Sequence, residues 1–343
     1  PDSQVVYFYS PKFDGDSDHV FENPSLVGRY AVFNIEEEDH AMEEDGQETY
    51  IDNPKNFVRM RVSSRHLILA SRTFRTMLEG RWKENLALAS KNHLGPVLIE
   101  TSDWDAAALA IVLDAIHGRY QDIPKHVGIG LMTRIATIVD YYECHECLQL
   151  ISDIWMADIW GKNEVPDTFC KSSLLWLYTS WVFSKRDIMN LTSRVLLQDI
   201  LDPSHVNLKD LPLGHILEKI DDMRQKLIDK LVTELDDFRW ELSVENSCPM
   251  GNSDCSALML GTLTRKQYNL GLLSPPPVAP YRDHSLSRLF SGVKAFCSLP
   301  SSSSASSPSI SKSIHPQPYF AGVVNTAMAT RSADSLHSII LSD

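Results

Sequence analysis

Two cysteines near the middle of the chain offer the most reactive combination of side chains in the sequence. Cys144 and Cys147 are separated by two residues, with a histidine and a glutamate between them. Two thiols at this spacing form half of a tetrahedral zinc site, and the only other close pair, Cys248 and Cys255, has a poor ligand spacing. A redox dithiol would open a helix after a strand, whereas this pair joins two predicted helices. The sequence therefore predicts two small structural side chains here, and metal binding or enzymatic use of the pair is the alternative.

No other arrangement of nucleophile, base or phosphate-binding loop is present in the sequence. The twelve histidines form no recognisable nucleophile–base motif, and no Gly-x-Ser-x-Gly elbow occurs. The fifteen glycines form neither a dinucleotide-binding loop nor a Walker-type loop. We therefore predict that the protein is not an enzyme and has no catalytic residue, cofactor or bound metal.

The composition disfavours several classes of partner. The chain has 343 residues, a formal net charge of −13 and a pI of about 5.4. An acidic surface is poorly suited to phosphate backbones or anionic membranes, so neither nucleic acid nor membrane is a predicted partner. The apolar run Leu174–Phe183 is too short to span a bilayer. Six cysteines in so long a chain indicate reduced thiols, and the N-terminus lacks a signal pattern, so we expect an intracellular protein, cytoplasmic or nuclear.

Residues 1–46 are predicted to be an acidic, disordered extension. Eight acids and no lysine or arginine stand between positions 36 and 48. Such a block repels itself and buries little apolar surface. A short β-prone run, Val5–Tyr9, precedes it.

Residues 47–160 have the pattern of an α+β domain, a small sheet covered by helices. Strands are predicted near Phe57–Val62 and at Val97–Glu100. Between them, apolar residues at helical spacing predict one helix, which Ser63 or Ser64 caps and which Gly80 ends in the usual left-handed manner. The apolar residues of this helix are Leu67, Ala70, Phe74, Met77 and Leu78.

Three helices are predicted after the second strand. The first begins at Ser102, because Asp105 stands three residues later as in a capping box, and it stops at Gly118. A turn near residues 143–145 separates the other two.

Residues 161–295 are predicted to form an all-α region. Its long helix carries an apolar stripe from Leu213 to Phe238 and a charged opposite face. Packing within the chain and pairing with a helix of another chain are both open. The proline-rich stretch Ser274–Pro280 is predicted to be a linker or, alternatively, a polyproline segment that docks in an aromatic groove. Residues 296–343 are rich in serine and are predicted to be a flexible tail.

Motifs spread over residues 61–147 resemble those of the BTB/POZ domain family. Val62, Leu67, Ser71 and Phe74 fall at the offsets of that family's second strand and first helix. Three later stretches are similar to further family motifs: Trp82-Lys83-Glu84, Ile116-His117-Gly118-Arg119-Tyr120 and Ile138-Val139-Asp140-Tyr141-Tyr142-Glu143-Cys144. With the tryptophan-containing helical region that follows, residues 50–295 look most like fungal BTB-domain proteins. The family-motif or interaction residues that the resemblance implies are Val62, Ser63, Ser64, Leu67, Ser71, Phe74, His117, Gly118, Tyr142 and Cys144.

Two features depart from the family pattern. Residues 49–56, where the family's first strand is expected, are interrupted by Pro54, so this strand is weak, displaced or mispredicted. Many family dimers carry a basic pair after the valine, where this chain has Ser63-Ser64. The resemblance therefore supports the fold more strongly than it supports a dimer.

The resemblance implies that the chain works by binding other proteins. Self-association or a scaffold role comes first. A substrate adaptor for a cullin-type ubiquitin ligase is the alternative, although no kelch-like repeat supplies a substrate-binding domain.

Overall fold

The computed structural model describes residues 5–11, 26–34, 57–89, 96–101, 104–161, 165–206, 211–244 and 253–297, and the chain divides into two compact units. The first unit is Pro1–Val165 with Leu174–Lys185, and the second is Pro166–Ser173 with Arg186–Asp343. Helices form most of the described chain, as the sequence predicted. The acidic run at 36–48, the interrupted stretch at 49–56, Cys248 and the serine-rich tail beyond Cys297 lie outside the described residues.

Three strands of the first unit are arranged in the order β2-β1-β3. They are β1 (Val5–Pro11), β2 (Phe57–Ser63) and β3 (Val97–Glu100). β1 runs antiparallel to β2, with Val6 opposite Val62, and parallel to β3, with Tyr7 opposite Leu98. Buried and exposed residues alternate along β3, so one of its faces lies on the core.

The first 46 residues supply two structural elements, which differs from the predicted disordered extension. β1 lies between the other two strands, and residues 28–33 form a short 3-10 helix that buries Tyr30. Composition could not predict that β1 is the central strand, because strand pairing joins residues that are far apart in sequence. The acidic run lies between β1 and its partner β2 in the sequence.

Two short helices, and not one, follow β2. α1 (Ser64–Ala70) and α2 (Arg72–Glu79) are separated by Ser71, whose backbone is extended at φ −138° and ψ 129°. The prediction that Gly80 has a left-handed backbone is also wrong, because its φ is −83°. A Cβ at Gly80 would collide with the carbonyl oxygen of Thr76, so a close backbone approach accounts for this glycine. α3 (Lys83–Ala89) leads towards β3.

Three longer helices follow: α4 (Ala106–Ile116), α5 (Ile129–Tyr142) and α6 (His145–Gly161). α4 is buried along its whole length. Asp105 caps it and accepts a hydrogen bond of 2.8 Å from the Ala108 N–H, so the predicted start at Ser102 is wrong. From α7 (Lys171–Val182), Thr179 Oγ1 lies 3.1 Å from Thr133 Oγ1 of α5.

All the regular secondary structure in the described part of the second unit is helical. It contains α8 (Arg186–Asp199), a 3-10 turn at Pro203–His205, α9 (Gly214–Val244), α10 (Ser253–Asn269) and α11 (Leu286–Cys297). The apolar stripe of α9 is buried from Ile216 to Leu242, so it packs within the chain. None of the helices described here has the length and hydropathy that a bilayer crossing requires.

Candidate functional site

Ser71 joins the two short helices to the end of α5. Its Oγ accepts a hydrogen bond of 2.9 Å from the Phe74 N–H and donates to the Tyr142 carbonyl oxygen. The rings of Phe74 and Tyr142 stack with centroids 4.2 Å apart and an angle of 14°. All three side chains are buried. These motif residues therefore meet in the core, where they fix the position of α2 relative to α5.

His117 connects the end of α4 to the start of α1. Its Nδ1 lies 2.7 Å from the Leu113 carbonyl oxygen, and its Nε2 accepts a hydrogen bond of 2.9 Å from the Ser63 N–H. A neutral imidazole protonated on Nδ1 satisfies both contacts. Burial lowers the pKa of His117, and the adjacent His66 and Arg119 lower it further, against opposing effects of the Leu113 carbonyl and Asp114.

Gly118 and Cys144 belong to two helix ends of the same design. Gly118 has φ +72°, with hydrogen bonds from Gly118 N–H to Ala115 O and from Arg119 N–H to Asp114 O. At the end of α5, Glu143 takes the left-handed position, and the Cys144 N–H donates to the Val139 carbonyl oxygen. Both are Schellman motifs, so Gly118 and Cys144 have structural roles at these two helix ends.

The two thiols lack the properties of reactive cysteines. Cys144 is fully buried, and this burial raises the pKa of its thiol to about 12. Burial also raises the pKa of Cys147. A nucleophile or metal ligand needs the thiolate form, which these shifts disfavour. Within the described parts of the chain, no three His, Cys, Asp or Glu side chains are grouped so that they could hold a metal ion.

Most of the remaining motif residues also lie in the core and not on the surface. Val62, Ser64 and Leu67 are buried, while the Ser63 and His117 side chains are partly exposed. The structure thus brings the motif residues together at the junctions of β2, α1, α2, α4 and α5. It does not place them on one exposed face.

A polar cluster around Asp114 escaped the sequence analysis. Asp114 is buried in α4 and contacts both Arg29 and Tyr30 of the 3-10 helix. The signal was a single acid within an otherwise apolar helix, because such a residue requires a donor. Its partners are far away in sequence, so the pattern alone could not name them.

A second buried charge lies in the second unit. Arg224 of α9 is 1% exposed, and its Nε donates to Asp221 Oδ1 at 2.7 Å. Its other nitrogens donate to backbone carbonyl oxygens of the loop between α10 and α11: those of Pro280, Tyr281 and His284. This loop includes the predicted linker at 274–280. An arginine within the apolar stripe of α9 was the signal in the sequence.

The outer face of α6 presents large apolar side chains to solvent. Leu150 is 73% exposed, Ile154 49% and Trp160 46%. Glu146 and Asp153 lie on the same helix and are also exposed, and Asp153 forms an ion pair with Lys185.

No family model, curated protein or solved structure matches this chain.

Proposed function

We propose that residues 47–160, together with β1, form a BTB/POZ-like domain and that the chain is a protein-interaction module without catalytic activity. The order of elements supports this: strand, three short helices, strand and then three longer helices, with α1, α3 and α4 in contact with the sheet. The convergence of Ser71, Phe74 and Tyr142 supports it further, since residues of two separate motif stretches join α2 to α5 through a hydrogen bond and a ring stack.

The exposed face of α6 is the observation that carries the interaction function. Leu150 and Ile154 stand four residues apart and therefore lie on neighbouring turns of one face. Contiguous exposed apolar patches mark binding surfaces, and Leu150 and Ile154 form the apolar part of such a patch on this face. We propose a second copy of the chain as the first partner, which makes this face a self-association surface.

Light scattering of the full chain over a range of concentrations tests this proposal. The full chain is needed because β1 lies between β2 and β3. We expect the mean mass to rise with concentration for the wild type and to fall in the double variant Leu150→Ser/Ile154→Ser. Gln149→Ser is the matched control, because it changes an exposed polar side chain of the same helix. A monomer at every concentration would rule out self-association.

The same variants test the adaptor alternative. If a pull-down from native extract recovers a cullin with the wild type and not with the double variant, the α6 face serves an adaptor. If no cullin is recovered with either, the adaptor role is excluded.

A further inference from the structure

Asp114 is a buried carboxylate close to the C-terminal end of α4. Loss of hydration and the negative end of the helix dipole both disfavour a carboxylate there. Two donors compensate. Tyr30 Oη donates to Asp114 Oδ2 at 2.6 Å, and Arg29 Nη1 lies 3.1 Å from Asp114 Oδ1. Arg29 also lies 3.5 Å from Asp122, beyond the end of α4.

Both donors come from one short stretch, residues 26–34, which we call the docking segment. The Asn34 side chain closes it: its Nδ2 donates to the Leu26 carbonyl oxygen and its Oδ1 accepts from the Leu26 N–H, both at 2.9 Å. Leu26 and Tyr30 are buried, whereas Val27 is 74% exposed and Val32 65% exposed. The docking segment is therefore a small closed loop with one side bound to the domain.

Long connections attach the docking segment to the sheet. Residues 12–25 separate it from β1, and residues 35–56 separate it from β2. An extended residue spans about 3.3 Å, so either connection can reach about 40 Å or more. By residue count alone, neither connection is too short for the docking segment to leave Asp114 while both strands stay in place.

We propose that the surface around Asp114 is a peptide-binding site, occupied by the docking segment and open to competition from a segment of another polypeptide in which arginine precedes tyrosine. Recognition depends on two charge-assisted contacts to one carboxylate, from a phenol and from a guanidinium. Burial and the hydrogen bond to Asp114 raise the pKa of Tyr30, so its hydroxyl remains a donor at neutral pH.

The peptide-binding site extends the proposed function. It rests on that function in one respect, because it takes the competing ligand to be a polypeptide. Because the docking segment belongs to the same chain as Asp114, it competes for the site intramolecularly. A competitor must therefore bind strongly or be present in excess, and the docking segment acts as a built-in inhibitor of the site.

A fluorescein-labelled peptide with the sequence of residues 26–34 tests the site by fluorescence anisotropy. In the full chain, Arg29→Ala/Tyr30→Ala removes the anchors of the docking segment. We expect this variant to bind the peptide about tenfold or more tightly than the wild type does, because the tethered competitor is lost. Adding Asp114→Asn should weaken peptide binding about tenfold or more. A peptide carrying Tyr30→Phe should bind more weakly than the original.

Equal peptide binding by the wild type and the double variant, or binding that Asp114→Asn leaves unchanged, overturns the proposal. Circular dichroism checks that each variant is folded. If the double variant does not fold, Tyr30→Phe in the chain replaces it, since the ring is kept and only the hydroxyl is lost. That chain must bind more peptide than the wild type does. Light scattering distinguishes a failure of this proposal from a failure of the proposed self-association. A chain that stays monomeric and still binds the peptide contradicts self-association and leaves the peptide-binding site supported.

Discussion

Glu143 has a left-handed backbone, φ 50° and ψ 49°, at the end of α5. Glycine adopts this conformation without strain, whereas a residue with a Cβ is disfavoured by about 1 kcal/mol or more. Glycine also makes the unfolded chain more flexible, which offsets part of this gain. We expect a net rise of about 0.5–1 kcal/mol in the free energy of unfolding for Glu143→Gly, measured by urea titration. Glu143→Ala is the control, because it removes the charge and keeps the Cβ. Equal effects of the two substitutions would contradict the backbone argument.

His117 makes the stability of the first unit depend on pH. Burial lowers its pKa in the folded chain, so the unfolded chain binds the proton at higher pH. The free energy of unfolding should therefore fall as the pH drops below the usual histidine pKa of about 6.5. Protonation of Nε2 also removes the acceptor for the Ser63 N–H.

Urea titrations between neutral and mildly acidic pH measure this effect. His117→Gln should flatten the dependence on pH, while His66→Gln should largely keep it, because the two hydrogen bonds of His117 remain. An unchanged slope in His117→Gln would assign the acid sensitivity to other groups.

The two helix starts at Ser63 and Ser71 provide an internal comparison of capping. Both residues are N-caps, but only the Ser71 side chain accepts a hydrogen bond from its helix. Ser71 also donates to the Tyr142 carbonyl oxygen. We expect Ser71→Ala to lower the free energy of unfolding by about 1–2 kcal/mol, and Ser63→Ala to change it by less than about 0.5 kcal/mol. Similar losses in both variants would mean that capping does not explain the helix break.

α9 carries two arginines in the same local arrangement but in different surroundings. Arg224 pairs with Asp221 and is buried, while Arg239 pairs with Asp236 and is 37% exposed. Arg224→Met should lower the free energy of unfolding by about 3 kcal/mol or more, because it leaves loop carbonyls without their donor and removes the ionic partner of Asp221. Arg239→Met should cost less than about 1 kcal/mol.

Hydrogen exchange adds a positional test of the Arg224 contacts. The loop at 279–284 should lose protection in Arg224→Met and keep it in Arg239→Met. Unchanged protection in Arg224→Met would show that the loop is held by other contacts.

Local pattern located most elements of the molecule but not their long-range partners. The strand at Val97–Glu100 was predicted with its observed bounds, because alternation and flanking turns are local properties. The break at Ser71 was missed, since the apolar spacing continues across a single extended residue. The contacts of Asp114 and Arg224 were missed for another reason. A charged residue on the apolar face of a helix indicates that it has a partner, but only the fold shows that the partner is Tyr30 or the 279–284 loop.

The charge of the whole molecule sets how self-association should respond to salt. Each copy carries a net charge of −13, and the proposed α6 face includes the exposed acid Glu146, while the exposed Asp153 is paired with Lys185. Two copies therefore repel each other over about 10 Å at 0.1 M salt and about 3 Å at 1 M. Apolar contacts of Leu150 and Ile154 would be largely unaffected by this screening. The association constant from light scattering should accordingly be higher at about 500 mM sodium chloride than at about 50 mM.

The double variant Leu150→Ser/Ile154→Ser separates this effect from general salting-out, because it should stay at low mass in both solutions. Dissociation of the wild type at the higher salt concentration would instead indicate an interface between oppositely charged patches. The acidic and apolar face of α6 does not form such an interface with a second copy of itself, so that result would move the self-association surface away from this helix.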